Sequence, residues 1–178
     1  MVGAAISGEI TMKGLSINST QADKCILKAL EAFGAMVEVH EDKITVKQNE
    51  KRPFVFDATQ CPDLFPPLAI LACAAVGASE IIGLHRLANK ESNRQLSIVK
   101  ILNVLGVNYR IVADSIFIEG KGSVNGGTIT TYNDHRMSMA GAISASIASS
   151  EIIIDNVACV SKSYPNFFND LEELSVII

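Results

Sequence analysis

A 71-residue repeat limits what this chain can fold into. Three segments read alike: SGEITMKGLSIN from Ser7, ASEIIGLHRLAN from Ala78 and SSEIIIDNVACV from Ser149. Their glutamates, Glu9, Glu80 and Glu151, stand 71 residues apart in both steps. Each segment alternates apolar and other residues, the period of a strand. An internal repeat implies like units that bury their apolar faces on one another. The expectation is one domain over residues 1–178, with units at about 7–77, 78–148 and an incomplete 149–178.

The elements between the glutamates repeat as well. STQADKCILKALEAFGA carries Ala22, Ile26, Ala29, Leu30 and Phe33 at helical spacing and closes on Gly34. ESNRQLSIVKILNVLGV does so with Leu96, Val99, Leu102 and Leu105 and closes on Gly106. PNFFNDLEEL, shorter, opens on Pro165, a good first-turn residue. The first two units continue into hairpins that turn at Glu41–Asp42 and Ala113–Asp114. Each then has a short strand, PFVFDA or GTITTY, and a second helix, CPDLFPPLAILACAAVG or YNDHRMSMAGAISASIAS. These second helices are apolar or small nearly all round, which places them in an interior. Pro66 and Pro67 fit only in a first turn. The class predicted is therefore α/β (α+β): repeated strand-helix-strand-strand-strand-helix units around a pseudo-threefold axis, apolar helices inside and sheets outside. The third unit lacks strands, and VGAAIS reads as the end of a helix; both suggest a fragment of a longer chain.

Composition narrows the function. With 48% hydrophobic and 19% charged residues the chain is globular, and a net charge of −4 without a basic tract argues against nucleic acid. No run of about 18 apolar residues predicts a membrane span, and the start lacks the basic region of a signal peptide. Cys25, Cys61, Cys73 and Cys159 contain no CxxC and read as structural thiols of a reducing cytoplasm. They do not pair with His40, His85 or His135 at metal-site spacing, so no metal is expected.

Four polar clusters fall between a strand and a helix: TQCPDLFPP with Asp63, NKESNRQ with Lys90, Glu91 and Arg94, YNDHRM with Asp134, His135 and Arg136, and VSKSYPNFF with Lys162. In α/β architectures such ends gather on one face, where ligands bind. Each cluster alone has a plain alternative. Lys90, Glu91 and Arg94 could be a solvated helix face, Asp63 a cap, Lys162 a surface lysine, and Arg136 an exposed partner of Asp134. Yet a cation in a first turn opposes the helix dipole, and an anion there would resolve the conflict. Together the cations and acids suit a small polyanion plus proton transfer.

KESNR, NDHRMSM and SKSYPNFF resemble the signature segments of the enolpyruvylshikimate phosphate synthase family, the 3-phosphoshikimate 1-carboxyvinyltransferases of the shikimate pathway, and CPDLFPPLA resembles that family's aspartate segment. The resemblance runs over nearly the whole chain and implies one domain of a two-domain enolpyruvyl transferase fold. It implies an enzyme of aromatic amino acid biosynthesis, inhibited by glyphosate, that joins phosphoenolpyruvate to shikimate 3-phosphate in the cytoplasm without a cofactor. It implies, too, that an N-terminal domain of the same protein is the partner that closes the site, and that this chain by itself is inactive.

Carried over residue by residue, Arg94 and Arg136 match arginines that hold phosphoenolpyruvate, and Lys90 matches a lysine beside shikimate phosphate. Asp63, Glu91 and Lys162 match the acid-base candidates, and Asp134 and His135 the pair flanking Arg136. Asn93 stands where the family often has aspartate, and Arg86 where some members have asparagine, so that role is not carried over. Two other readings remain: an enolpyruvyl transferase acting on UDP-N-acetylglucosamine, and a non-catalytic binding module of the same fold.

Overall fold

A computed structural model describes residues 1–16, 18–88 and 90–175. Ile17 in the first repeat segment, Asn89 at the head of NKESNRQ and the end of the third repeat, 176–178, lie outside the described residues. In chain order the elements are α1 (Val2–Ser7), β1 (Glu9–Lys13), α2 (Ile26–Phe33), β2 (Met36–Val39), β3 (Lys43–Lys47), β4 (Val55–Asp57), α3 (Phe65–Ala74) and β5 (Val76–Ile82). There follow α4 (Arg94–Val104), β6 (Asn108–Val112), β7 (Ser115–Lys121), β8 (Gly127–Ile129), α5 (His135–Ser144), β9 (Ile152–Ile154) and α6 (Phe167–Ser175).

The helices that are apolar or small nearly all round, α3 and α5, form the centre. α3 buries nine of its ten residues, with Pro66 and Pro67 in its first turn. It packs on α5, on α1, and on strands β5 and β7. With no polar stripe, α3 has no side to show water, so sheets and helices must cover it on every flank. The closest approach is at Gly120 of β7, where a Cβ would lie 2.1 Å from the Ala72 carbonyl oxygen; only glycine lets the sheet settle on the helix there. The VGAAIS segment is a helix, α1, and it reaches the same centre with Ala5 and Ile6 fully buried.

Both hairpins form as expected, at 40–42 and 113–114, the second with Ala113 at φ 51°. β1, β3 and β2 make one antiparallel sheet, whose buried Ile44 and Val46 face Met12 and Ile10 across β1. The other sheets ignore the repeat boundary. β4, from the first repeat, pairs parallel with β5 of the second in the order β4-β5-β7-β6. β8, from the second, pairs parallel with β9 of the third. A parallel neighbour cannot be reached through a tight turn and needs a crossover helix. α3 and α5 are those crossovers, so each central helix closes a β-α-β unit spanning two repeats.

Four helices differ from the sequence reading: α2 begins at Ile26, after a 3-10 turn over Ala22–Cys25, and α6 begins at Phe167, beyond Pro165. α5 starts at His135 and gives way to a 3-10 turn at Ala145–Ile147, earlier than an apolar run to Ser149 suggests. In α4 the inward stripe is Arg94, Ser97, Ile98, Ile101 and Leu102, not the stripe through Leu96 and Val99. Leu96 is 56% exposed.

Candidate active site

The chain leaves β4, β5, β8 and β9 at their carboxyl ends and enters the four polar clusters, which is where a parallel pair presents its loops. At the first, a 3-10 turn over Pro62–Leu64 carries Asp63 into α3. At the second, Asn93 caps α4 by accepting from Leu96 N at 3.2 Å, so Arg94 is the first helical residue. At the third, Asp134 caps α5, its Oδ1 accepting from Arg136 N at 3.0 Å. The loop before it is held tightly. Asp155 accepts from Thr131 N and Oγ1 at 3.0 and 2.9 Å, and Tyr132 and Asn133 both take positive φ, 54° and 59°. Two successive non-glycine residues in that region store strain, which is common beside functional groups.

Three of the clusters interlock around Arg94, whose side chain is wholly buried. Its Nε donates to Asp134 Oδ2 at 3.0 Å, its Nη1 to Asp63 Oδ1 at 2.7 Å, and its Nη2 to Glu91 and, at 3.3 Å, to Asp134 Oδ1. Asp134 is also wholly buried and takes a further bond from Ser92 Oγ at 3.1 Å. Asp63 is the meeting point of cations. Besides Arg94, it accepts from Arg136 Nη2 at 2.9 Å and lies 3.1 Å from Lys90 Nζ. Arg136 and Lys90 are about one quarter exposed, at 27% and 25%. Arg94 is thus a buried frame, while Arg136 and Lys90 are the cations that reach the surface.

Two of the plain alternatives fail, those for Arg94 and for Arg136. Arg94 is no part of a solvated face, and Arg136 does not pair its side chain with Asp134, because Arg94 already occupies that carboxylate. Lys162 ends the 3-10 turn Ala158–Lys162 and donates to the Asn133 carbonyl at 2.6 Å. It therefore touches the same loop as Asp134 but not the carboxylate cluster. His135 is 6% exposed, and its Nδ1, together with Arg136 Nε and Ser138 Oγ, is buried without a hydrogen-bond partner among the described residues. Sequence reasoning passed over Ser92, which lies inside KESNR, and Asp155, which lies in a strand repeat; only the fold brings them to Asp134 and Thr131.

Electrostatics follow from this packing. Burial raises the Asp63 carboxyl, but the Arg136 charge and the Lys90 and Arg94 bonds outweigh it and hold the group below the usual carboxylate range. Burial, then the Arg136 charge, lowers the His135 imidazole below its ordinary 6.5, so it is neutral at pH 7. Ionised Asp63 beside two reachable cations can exchange partners with an incoming anion and can accept a proton.

Central apolar helices with sheets outside them are the fold of one domain of the enolpyruvyl transferases. Solved structures share that fold. EPSP synthase from Acinetobacter baumannii superposes with a TM-score of 0.85 at 27% identity, over 97% of this chain and 43% of that one. An enolpyruvyl transferase from Streptomyces tendae shares the fold at TM-score 0.71 and 18% identity. Residues 1–171 match the family model of EPSP synthase (3-phosphoshikimate 1-carboxyvinyltransferase), and the chain belongs to that family. The 3-phosphoshikimate 1-carboxyvinyltransferase of Clostridium acetobutylicum is 38% identical over 95% of the chain, and that of Pyrococcus furiosus 42% over 96%. The chain spans only 39% and 42% of the length of those two relatives. No helix among the described residues is long and apolar enough to cross a membrane.

Proposed function

We propose that the protein containing this chain transfers the enolpyruvyl group of phosphoenolpyruvate to the 5-hydroxyl of shikimate 3-phosphate and releases phosphate. In this proposal residues 1–178 are its second domain, built of the three repeats, and an N-terminal domain supplies the other wall of a cytoplasmic enzyme. One observation carries the reading: Asp63, Arg94, Asp134 and Arg136, from three separate strand ends, form a single hydrogen-bonded cluster with two part-exposed cations.

The chemistry assigns each group a task. Phosphoenolpyruvate brings a carboxylate and a phosphate; because Arg94 is buried among the acids, Arg136 and Lys90 are the reachable cations to take them, which moves Lys90 from the shikimate phosphate where the resemblance puts it. Arg94 holds the acids from beneath. As Arg136 and Lys90 turn to the ligand, Asp63 keeps only Arg94 of the three cations that hold its carboxyl low and becomes a stronger base. Asp63 then takes the proton of the 5-hydroxyl while that oxygen adds to C2. Lys162 or Glu91 delivers a proton to C3. The tetrahedral intermediate loses phosphate, whose charge Arg136 and Lys90 offset, and a proton from C3. Neutral His135 supports the first turn of α5 and leaves the positive charge to Arg136.

Phosphate release tests the proposal. The whole protein should turn over with phosphoenolpyruvate and shikimate 3-phosphate and not with UDP-N-acetylglucosamine. Arg136→Ala should raise KM for phosphoenolpyruvate by about 10- to 100-fold, as loss of a charged hydrogen bond does. Turnover with the nucleotide sugar alone would overturn the acceptor; an unchanged KM would overturn the role of Arg136.

A further inference from the structure

Cys25 and Cys61 stand 36 residues apart in a chain without any CxxC, yet the fold brings their sulfurs to 2.7 Å, the Cys25 thiol donating to Cys61. The two sit on different supports. Cys25 ends the 3-10 turn Ala22–Cys25 and caps α2, and is half-buried. Cys61 is buried, and its carbonyl accepts from Leu64 N at 3.0 Å, closing the turn in which Asp63 lies. The other cysteines, Cys73 and Cys159, are buried apart from this pair.

We propose that Cys25 and Cys61 are an oxidation site: a dithiol that closes to a disulfide when it meets a small-molecule disulfide, tying the start of α2 to the turn that carries Asp63. A disulfide bond of about 2.05 Å needs the sulfurs to approach by less than about 1 Å, which two short turns can supply. The half-buried Cys25, as thiolate, attacks the reagent disulfide, forming a Cys25 mixed disulfide and releasing one reagent thiolate. Cys61 then attacks the Cys25 sulfur, expels the second reagent thiolate and gives up its proton to it. Two protein thiols are oxidised and one reagent disulfide is reduced to two thiols. Burial pushes the Cys61 thiol up to about 12, so Cys61 is a poor first nucleophile and acts second, once its partner is at contact.

Oxidised glutathione at pH 8 is the probe, read by thiol titration and by peptide mass spectrometry without reduction. The native chain should fall from four free thiols to two, with a Cys25–Cys61 linked peptide. The link should form about 100-fold faster than in concentrated urea, because only the fold holds the sulfurs together. Dithiothreitol should reverse it, and oxidation should raise Tm by about 5–10 °C, as closing a loop of this length does. Cys25→Ser should lose the linked peptide while Cys61 stays unmodified. A native chain that keeps four thiols, stops at a Cys25 mixed disulfide or links no faster than in urea overturns the proposal.

Discussion

The Arg94 guanidinium is fully buried against three carboxylates. Burying a guanidinium is costly unless its donors are matched, and here Asp134, Asp63 and Glu91 match them. Asp134 is the essential partner because it is equally buried and also caps α5. Asp134→Ala removes both roles and should cost about 3–5 kcal/mol in urea unfolding, the range for breaking a buried pair. Arg136→Ala, at a part-exposed pair, should cost no more than about 1 kcal/mol. Equal losses would mean that Arg94 finds water when Asp134 is gone. The sequence could name these residues but not rank them. Lys90, Glu91 and Arg94 look alike as neighbours on one helix turn; what separates them is Asp134, 40 residues further on, whose approach is a property of the fold.

At the scale of elements, most boundaries were legible because local chemistry sets them: Gly34 ends α2 in a left-handed conformation, Asn93 and Asp134 cap α4 and α5, and the prolines open α3. Which way a helix faces was less legible. Leu96, Val99, Leu102 and Leu105 lie at helical spacing and read as one stripe, yet Arg94 turns inward to its acids and rotates the stripe to Ile98, Ile101 and Leu102. A hydrophobic pattern cannot anticipate a buried charge at its edge. The rotation has a measurable consequence. Leu96→Lys should leave stability within about 0.5 kcal/mol, whereas Leu102→Ala should cost about 2–5 kcal/mol in the same denaturation experiment. A large loss at Leu96 would mean that a surface covers it in solution.

For the whole molecule, the repeat predicted like units and the structure adds how they are joined. β4 and β8 each leave their own repeat to pair in the next sheet, and α3 and α5 cross the centre to make that possible. The period could not disclose this, because a strand's partner depends on the crossover and not on its own residues. The joining matters for function: it brings the carboxyl ends of strands from successive repeats together, so that Arg94 and Arg136 share the Asp63 carboxylate. It follows that the phosphoenolpyruvate half of the site should exist in this chain by itself. An NMR amide titration with phosphoenolpyruvate should give saturable shifts at 90–94, 134–136 and Asp63, with a Kd of about 1 mM, the strength of a few part-exposed charge contacts. Raising salt should weaken it, since Arg136 and Lys90 are within reach of counterions. Asp63→Asn should keep the shifts, because the cations then have no competing carboxylate at their centre. A dispersed spectrum without shifts would mean that Asp63 outcompetes the ligand for Arg136 and Lys90, and that the exchange of partners needs the rest of the protein to drive it.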